Sequence, residues 1–328
     1  MANLSTTYMG LNLSNPLIVG SSGLTNNVKN IKEIEENGAA AVVLKSLFEE
    51  QINFQISKTM GETENNYNYP EAQDYISHYT KENDVDQYLK LIRECKETVS
   101  IPVIASINCV SSQEWISFAR KIQDAGADAL ELNIFILPSD PKRNGAQNEE
   151  VYFDIVEKVR KLITIPLAVK ISYYFSGFAN TALKLSWTGI AGMVLFNRFF
   201  SPDIDIDNFK VTATNVFSAP EELSISLRWV AMLSSKLHCD IAASTGVHDG
   251  AAIIKQLLAG AKAVQVSSVL YKKGFGQIKP MLAELSNWMD SKGFENVSDF
   301  TGRMSIKEVD NPAAYERVQF MKHFAGIE

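Results

Sequence analysis

The sequence predicts a single (β/α)8 barrel over residues 1–328, and three observations predict it: a glycine-and-alanine signature recurring four times ahead of apolar strands, further apolar strands between the recurrences, and helix-forming stretches separating them all. The recurrences are Asn37–Leu44, Ala125–Leu132, Gly189–Phe196 and Ala259–Val266. Glycine just past a helix can take the left-handed conformation that ends it, and small residues let helix and strand approach closely. These segments therefore read as strands 2, 4, 6 and 8 with the turns that deliver them.

Pro16–Val19, Val103–Ile107, Leu167–Ile171 and Asp240–Ala243 supply strands 1, 3, 5 and 7, three of them beginning at or just after a proline, where a missing amide hydrogen is tolerated. Helical periodicity or helix-start residues mark Asn27–Glu36, Asp86–Thr98, Ser112–Ala125, Glu149–Leu162, Phe178–Ser186, Pro220–Leu237, Asp249–Leu258 and Ile278–Ser291, with Asp249 as a cap. Strict alternation implies parallel strands, and closure at eight gives a TIM-type barrel with its chemistry on the loops after the strands. A doubly wound open sheet is the rival arrangement. The long connections after strand 2 (Lys45 to about Val85) and strand 6 (Asn197–Ala219) are placed to form a pocket or its cover.

Composition narrows the class. The 328 residues are 46% hydrophobic and 21% charged, proportions that suit a globular enzyme. Basic residues number 31 against 38 acidic, a formal charge of −7 with neither sign in blocks, which argues against nucleic acid and for small-molecule partners. Cys95, Cys109 and Cys239 lie far apart, so neither a zinc site nor a cysteine-ligated cluster is readable, and buried thiols in a reducing cytoplasm are expected. No apolar run approaches the roughly 18 residues of a spanning helix and no export signal opens the chain, which predicts a cytoplasmic protein without a membrane partner. His78, His238, His248 and His323 show no metal-ligand spacing.

In a barrel the residues just beyond each strand face the ligand. Here they are Gly20-Ser21-Ser22-Gly23, Lys45-Ser46, Asn108, Asn133, Lys170, Asn197, Ser244-Thr245-Gly246 and Ser267-Ser268. A single lysine after an apolar strand is ordinarily a solvent-reaching side chain. Two lysines at equivalent strands, with three asparagines, suit a planar, multiply hydrogen-bonding, electron-accepting ring, because amides serve donors and acceptors together and ammonium groups stabilise negative charge on a reduced flavin. Thr245, Gly246, Ser267 and Ser268 follow strands 7 and 8, where barrels often hold a phosphate, although serine and glycine there are also ordinary turn chemistry.

At these residues the chain resembles the dihydroorotate dehydrogenase family over most of its length. Asn15-Pro16 with Gly20-Ser21-Ser22-Gly23, Leu44-Lys45-Ser46, Glu131-Leu132-Asn133, Val169–Phe175, Asn197 and Ala259–Val266 are similar to the family's landmarks, in order. The resemblance implies a flavin mononucleotide (FMN) cofactor, contacts from Lys45, Lys170, Asn133 and Asn197 to the flavin or a substrate over it, and a phosphate held at Thr245-Gly246 and Ser267-Ser268. It also implies an oxidoreductase acting across a CH–CH bond in pyrimidine biosynthesis, of the soluble class, which is often homodimeric. Asn68, in the loop after strand 2, resembles in place the family asparagine that meets dihydroorotate or orotate.

The chain departs from the family at the proton-transfer site. Where the soluble class has Leu-Ser-Cys-Pro-Asn after its fourth-strand asparagine, this chain has Ile134-Phe135-Ile136-Leu137-Pro138, so Ile136 stands in the base position, with Ser139 the nearest hydroxyl. Isoleucine cannot take a proton. The family's glycine-rich stretch before helix 6 is Thr212-Ala213-Thr214-Asn215, its paired glycines after strand 7 are Thr245-Gly246, and Arg198 follows Asn197 as a candidate for an anionic substrate group. The chain thus resembles a subgroup that keeps a flavin site while missing catalytic residues. It reads either as an oxidoreductase for dihydroorotate or another unsaturated ring, or as a catalytically inactive flavin-binding or metabolite-sensing barrel. His78 is the histidine placed to act as a replacement acid or base.

Overall fold

In a computed structural model the described residues are 2–48, 85–109, 116–198, 201–214 and 216–316, so Asn68, His78 and His323 lie outside them. Eight parallel strands close into a barrel: β3 (Leu17–Val19), β4 (Ala41–Val43), β6 (Val103–Cys109), β7 (Ala129–Ile134), β8 (Leu167–Ile171), β9 (Gly192–Leu195), β12 (Asp240–Ser244) and β13 (Ala263–Val266), the last pairing back to β3 and β4 pairing with β6. A two-residue strand, β5 (Leu47–Phe48), resumes the ladder against β6 after Lys45-Ser46.

Helices fill the crossovers: α1 (Val28–Glu36), α2 (Val85–Thr98), α3 (Ile116–Asp124), α4 (Gly145–Arg160), α5 (Phe178–Ser186), α6 (Leu223–Leu233), α7 (Gly250–Ala259), then α8 (Ser268–Lys273), α9 (Ile278–Lys292) and α10 (Ala313–Glu316). Among the described residues none is long and apolar enough to cross a membrane. The recurrent signature does what its chemistry predicts: Gly38, Gly126, Gly189 and Gly260 all take positive φ, between 84° and 115°, at the turn ahead of a strand. Asp249 caps α7, accepting from the Ala252 amide at 2.7 Å. Helix α4 starts four residues before the expected Glu149, because Asn144 and Gln147 form a reciprocal capping box. The expected Pro220–Leu237 helix is a short 3-10 turn followed by the shorter α6.

Two hairpins complete the described residues. The long connection after β9 folds into β10 (Ser201–Asp205) and β11 (Lys210–Thr214), where an open loop was expected. Near the amino terminus β1 (Thr6–Tyr8) turns through Met9 and Gly10, both at positive φ, into β2 (Leu11–Leu13).

Period-two alternation sorts the strand residues. Outward positions such as Leu130, Leu132, Val169, Ile171, Val264 and Val266 join the helices in one apolar shell. Inward positions at the amino-terminal end, Ile18, Ala41, Val43, Ile104, Ala129, Ala168, Val194, Ala242 and Ala263, form a separate layer with Tyr8, Met9 and Leu13 from the hairpin. The hairpin thereby plugs the barrel floor. Gly192 makes room for it: a Cβ there would lie 2.7 Å from the Tyr8 hydroxyl and 2.7 Å from Met9 Cγ. Gly192→Ala is expected to cost about 1–3 kcal/mol through overpacking, read as a lower urea midpoint with an unchanged slope.

Candidate functional site

The inward positions nearer the carboxyl ends are polar. On β7 Glu131 follows Ala129, and on β8 Lys170 follows Ala168, each two residues on and so on the same inward face. Gln265 occupies the equivalent place on β13. The three join inside the barrel: the Lys170 ammonium donates to Gln265 Oε1 at 2.8 Å, Gln265 Nε2 donates to Glu131 Oε2 at 2.6 Å, and Lys170 stands 3.9 Å from Glu131 Oε1. Glu131 and Gln265 are only 1% and 2% exposed, and Lys170 only 8%. A buried carboxylate is tolerable here because a cation neutralises it and an amide bridges the two.

One turn of alternation further out, the Asn197 amide donates to Asn133 Oδ1. Asn108 pairs with Asn133 across the β6–β7 ladder, and its side-chain oxygen is buried with no partner among the described residues. A hydroxyl chain runs round the other side: Ser21 lies 3.0 Å from Ser46, and Ser46 lies 2.8 Å from Ser106. Tyr88 reaches in from α2 to donate to the Ser106 carbonyl and accept from its amide. Lys45 is half-buried between Leu44 and this chain. Ser22 caps a 3-10 turn at Gly23–Thr25.

At strands 7 and 8 the backbone is unusual. Thr245 and Gly246 both take positive φ, 75° and 76°, and a Cβ on Gly246 would lie 2.2 Å from the Leu223 amide nitrogen, so only glycine fits. Thr245 donates to the Phe196 carbonyl and Ser267 to that of Gly20. The Ser218 amide donates to Ser268 Oγ at 3.0 Å, Lys272 donates to the Ser218 carbonyl, and the Ser218 hydroxyl lies 3.1 Å from His248 Nε2. The end of the connection after β9 is thus tied down onto α8.

A cavity of about 180 Å³ opens over these strand ends between Tyr173, Phe196, Asn197, Arg198, Ser244 and Thr245. Arg198 borders it, but its guanidinium pairs with Glu222 at 3.1 Å and donates to the Val216 and Phe217 carbonyls. That geometry makes it a clasp for the connection after β9 and leaves it poorly placed as an anion receptor. Ile136 is half-buried, its amide donating to the Tyr152 hydroxyl, and Ser139 is exposed and borders neither this cavity nor its neighbour.

Burial pushes the thiols of Cys95 and Cys239 up to about 12, so both stay protonated and unreactive. Among the described residues no group of histidine, cysteine and carboxylate side chains could hold a metal. Sequence reasoning placed the lysines and asparagines but passed over Glu131, Gln265, Ser106 and Tyr88. Glu131 and Gln265 were legible as lone polar residues at inward positions of apolar strands; Tyr88, arriving from a helix, carried no such signal.

Buried ammonium, amide and hydroxyl groups gather at the carboxyl ends of the strands, where α/β barrels form their sites. The chain belongs to the dihydroorotate dehydrogenase family, whose profile matches residues 3–289. It is 28% identical over 315 residues to the "Dihydroorotate dehydrogenase B (NAD(+)), catalytic subunit" of Thermoplasma acidophilum, covering 92% of this chain and 99% of that one. Proteins of the same name from Pyrococcus abyssi and Methanocaldococcus jannaschii are each 26% identical, over 91% and 87% of this chain and 98% and 93% of theirs.

Two outcomes follow from the site. Lys170→Met would strand the Glu131 carboxylate in the barrel and is expected to cost about 3–5 kcal/mol, measured by chemical denaturation at neutral pH. His248 is held below the ordinary histidine range by burial and then by Lys272, against weaker opposite effects of Ser218 and Asp249. The unfolded chain then takes a proton before the folded one, so stability is lost as pH falls below about 6.5 until the folded histidine also titrates. His248→Gln is expected to flatten that part of a denaturation-midpoint profile.

Proposed function

We propose that the protein is an FMN-dependent oxidoreductase acting on a carbon–carbon bond of a small planar ring. The observation that carries this is the buried Lys170–Gln265–Glu131 set with the Asn133–Asn197 pair beyond it. Such a set suits the flavin ring: a cation that has been desolvated and fixed stabilises negative charge far better than one in water, and a paired carboxylate keeps that cation in place. The unpartnered Asn108 oxygen supports the fit, because a buried acceptor without a donor is costly unless a ligand N–H satisfies it. The doubly left-handed Thr245-Gly246 turn supports a phosphate cradle, since it lets backbone amides approach closely.

In this reading Lys45, Lys170, Asn108, Asn133 and Asn197 hold the ring. Gly20, Ser21, Ser22 and Ser46 line its edge, and Thr245, Gly246, Ser267 and Ser268 hold the phosphate. When bound, the cofactor supplies a hydride acceptor at its N5 atom. The chain's own residues orient the substrate: Asn133 and Asn197, with Asn68 from the loop after strand 2, present amides to a ring's donors and acceptors. The partners are a small molecule and a second copy of the chain, in the cytoplasm. The relatives are named as catalytic subunits, and with this chain's cysteines far apart, electron exchange through an iron–sulfur centre would need a second protein.

Ile136 favours a second reading, a flavin-binding barrel that senses a metabolite without turning it over. The segment 134–138 is Ile-Phe-Ile-Leu-Pro and offers no proton acceptor. One experiment separates the two: the visible spectrum of the purified protein, then anaerobic mixing with dihydroorotate. Yellow protein that dihydroorotate bleaches supports the dehydrogenase; yellow protein that it does not bleach leaves the sensor or another ring substrate. Colourless protein that takes up no added FMN sinks both. Ile136→Cys is expected to raise any slow bleaching by about 10²-fold or more if the base alone is missing.

A further inference from the structure

Two further cavities lie at the opposite end of the barrel. One, about 500 Å³, is walled by Met9 and Gly10 of the floor hairpin and by Ala191, Leu237 and Ile241, with His238 and Asp240 beside them. The other, about 410 Å³, lies between the ends of α6 and α7 and the segment after α9, and is lined by Lys262, Thr301, Arg303, Lys307 and Glu308. Ser234, Gly260 and Lys262 border both, which makes them two compartments of one groove. Ala191 and Lys262 stand just before β9 and β13, and Asp240 is the first residue of β12, so the groove opens on the amino-terminal face. Each compartment falls in the range of about 300–1,000 Å³ usual for small-molecule sites.

Folding explains the backbone of this groove. The amides of Gly302, Met304 and Ile306 donate to the Leu257, Leu258 and Ala231 carbonyls, and the Ser234 hydroxyl donates to that of Ala259, so the ends of α6 and α7 are closed. Folding does not explain the charges. Lys262, Arg303 and Lys307 are exposed, and none of them takes part in an ion pair among the described residues. Glu308 borders the same compartment and pairs with none of the three. Arg303 is fixed at the wall, its Nε donating to the Asp299 carbonyl at 2.7 Å and its guanidinium 4.8 Å from the centre of the Phe294 ring. Three unpaired cations in one concavity repel one another and add nothing to stability, yet they gather here in a chain of net charge −7; a bound anion would reverse the sign of their effect. The other compartment carries one carboxylate, Asp240, whose Oδ2 accepts from the Met9 amide, and His238 packs on Trp187 at 6.3 Å between ring centres.

We propose that this groove binds an organic phosphate monoester, its phosphate at Lys262, Arg303 and Lys307 and its uncharged body against Met9, Leu237 and Ile241. A phosphate monoester carries a charge of about −1.5 to −2 at neutral pH, which matches three cations offset by Glu308. The ammonium groups and the guanidinium give its oxygens charge-assisted hydrogen bonds. Asp240 sets the direction, because a phosphate in its compartment would meet a like charge, whereas an apolar body there is removed from water. Thr301, Arg303, Lys307 and Glu308 lie beyond residue 289, where the match to the family profile ends. The site stands independently of the flavin reading: none of the residues assigned to the cofactor lines it, and the two lie at opposite ends of the barrel.

The test uses the full chain, incubated with excess FMN so that any phosphate cradle at the strand ends is filled, and titrates it calorimetrically at low ionic strength with phenyl phosphate, inorganic phosphate and phenol. Phenyl phosphate is expected to bind at one per chain, about tenfold or more tighter than inorganic phosphate, which lacks the apolar body, or phenol, which lacks the charge. Replacing both exposed lysines, Lys262→Gln with Lys307→Gln, is expected to weaken phenyl phosphate about tenfold or more without lowering the melting temperature of the free protein. No binding of phenyl phosphate, equal affinity for it and either analogue, or an affinity unchanged in the folded double variant overturns the proposal. A visible spectrum of the same samples keeps the two readings apart. Protein that takes up no FMN yet binds phenyl phosphate through the two lysines removes only the flavin reading, and yellow protein indifferent to phenyl phosphate removes only this one.

Discussion

A carboxylate and an ammonium group, on Glu131 and Lys170, sit inside the barrel with Gln265 between them, and what lies above depends on that trio staying neutral and dry. Isolated, either charge would cost several kcal/mol to bury. Together they are bearable because each charge neutralises the other and Gln265 bridges them; beneath them lies a floor of inward apolar residues from every barrel strand, with the Tyr8–Met9 hairpin wedged against Gly192. Stability is thus concentrated at one end of the barrel and chemistry at the other. The polar trio is the boundary between them.

Above that boundary the strand ends divide into a polar side and a more apolar one. At strands 1, 2 and 3 the hydroxyls of Ser21, Ser46 and Ser106 form a chain, and after strand 7 Thr245 and Gly246 take left-handed backbone. At strands 4 and 5 Ile136 stands in the segment after β7, and the space beside it is walled by Tyr152, Tyr173 and Tyr174. Arg198 belongs to neither side; its tie to Glu222 clamps the connection that carries the β10–β11 hairpin.

The barrel was legible in the sequence because its punctuation is local. Four glycines ahead of four strands each need positive φ, and a helix end and a turn are decided within a few residues. The lysines and asparagines were legible because closure fixes which residues meet at the mouth. Glu131 and Gln265 stand out singly as lone polar residues on apolar strands, but their partnership spans 134 residues, which no spacing rule encodes. The β10–β11 hairpin did leave a trace, the Asp203-Ile204-Asp205-Ile206 alternation, within what read as an open loop. The Arg198–Glu222 pairing left none, because it joins two loops through tertiary geometry alone.

If the buried trio holds a charge-accepting ring at the strand ends, titrating FMN into the flavin-free protein and into Gln265→Leu, which removes the bridge while keeping the size, will show it. One FMN per chain, bound at least tenfold more weakly by a folded Gln265→Leu variant, is the predicted result; failure to bind FMN, or equal affinity in the two proteins, would contradict it.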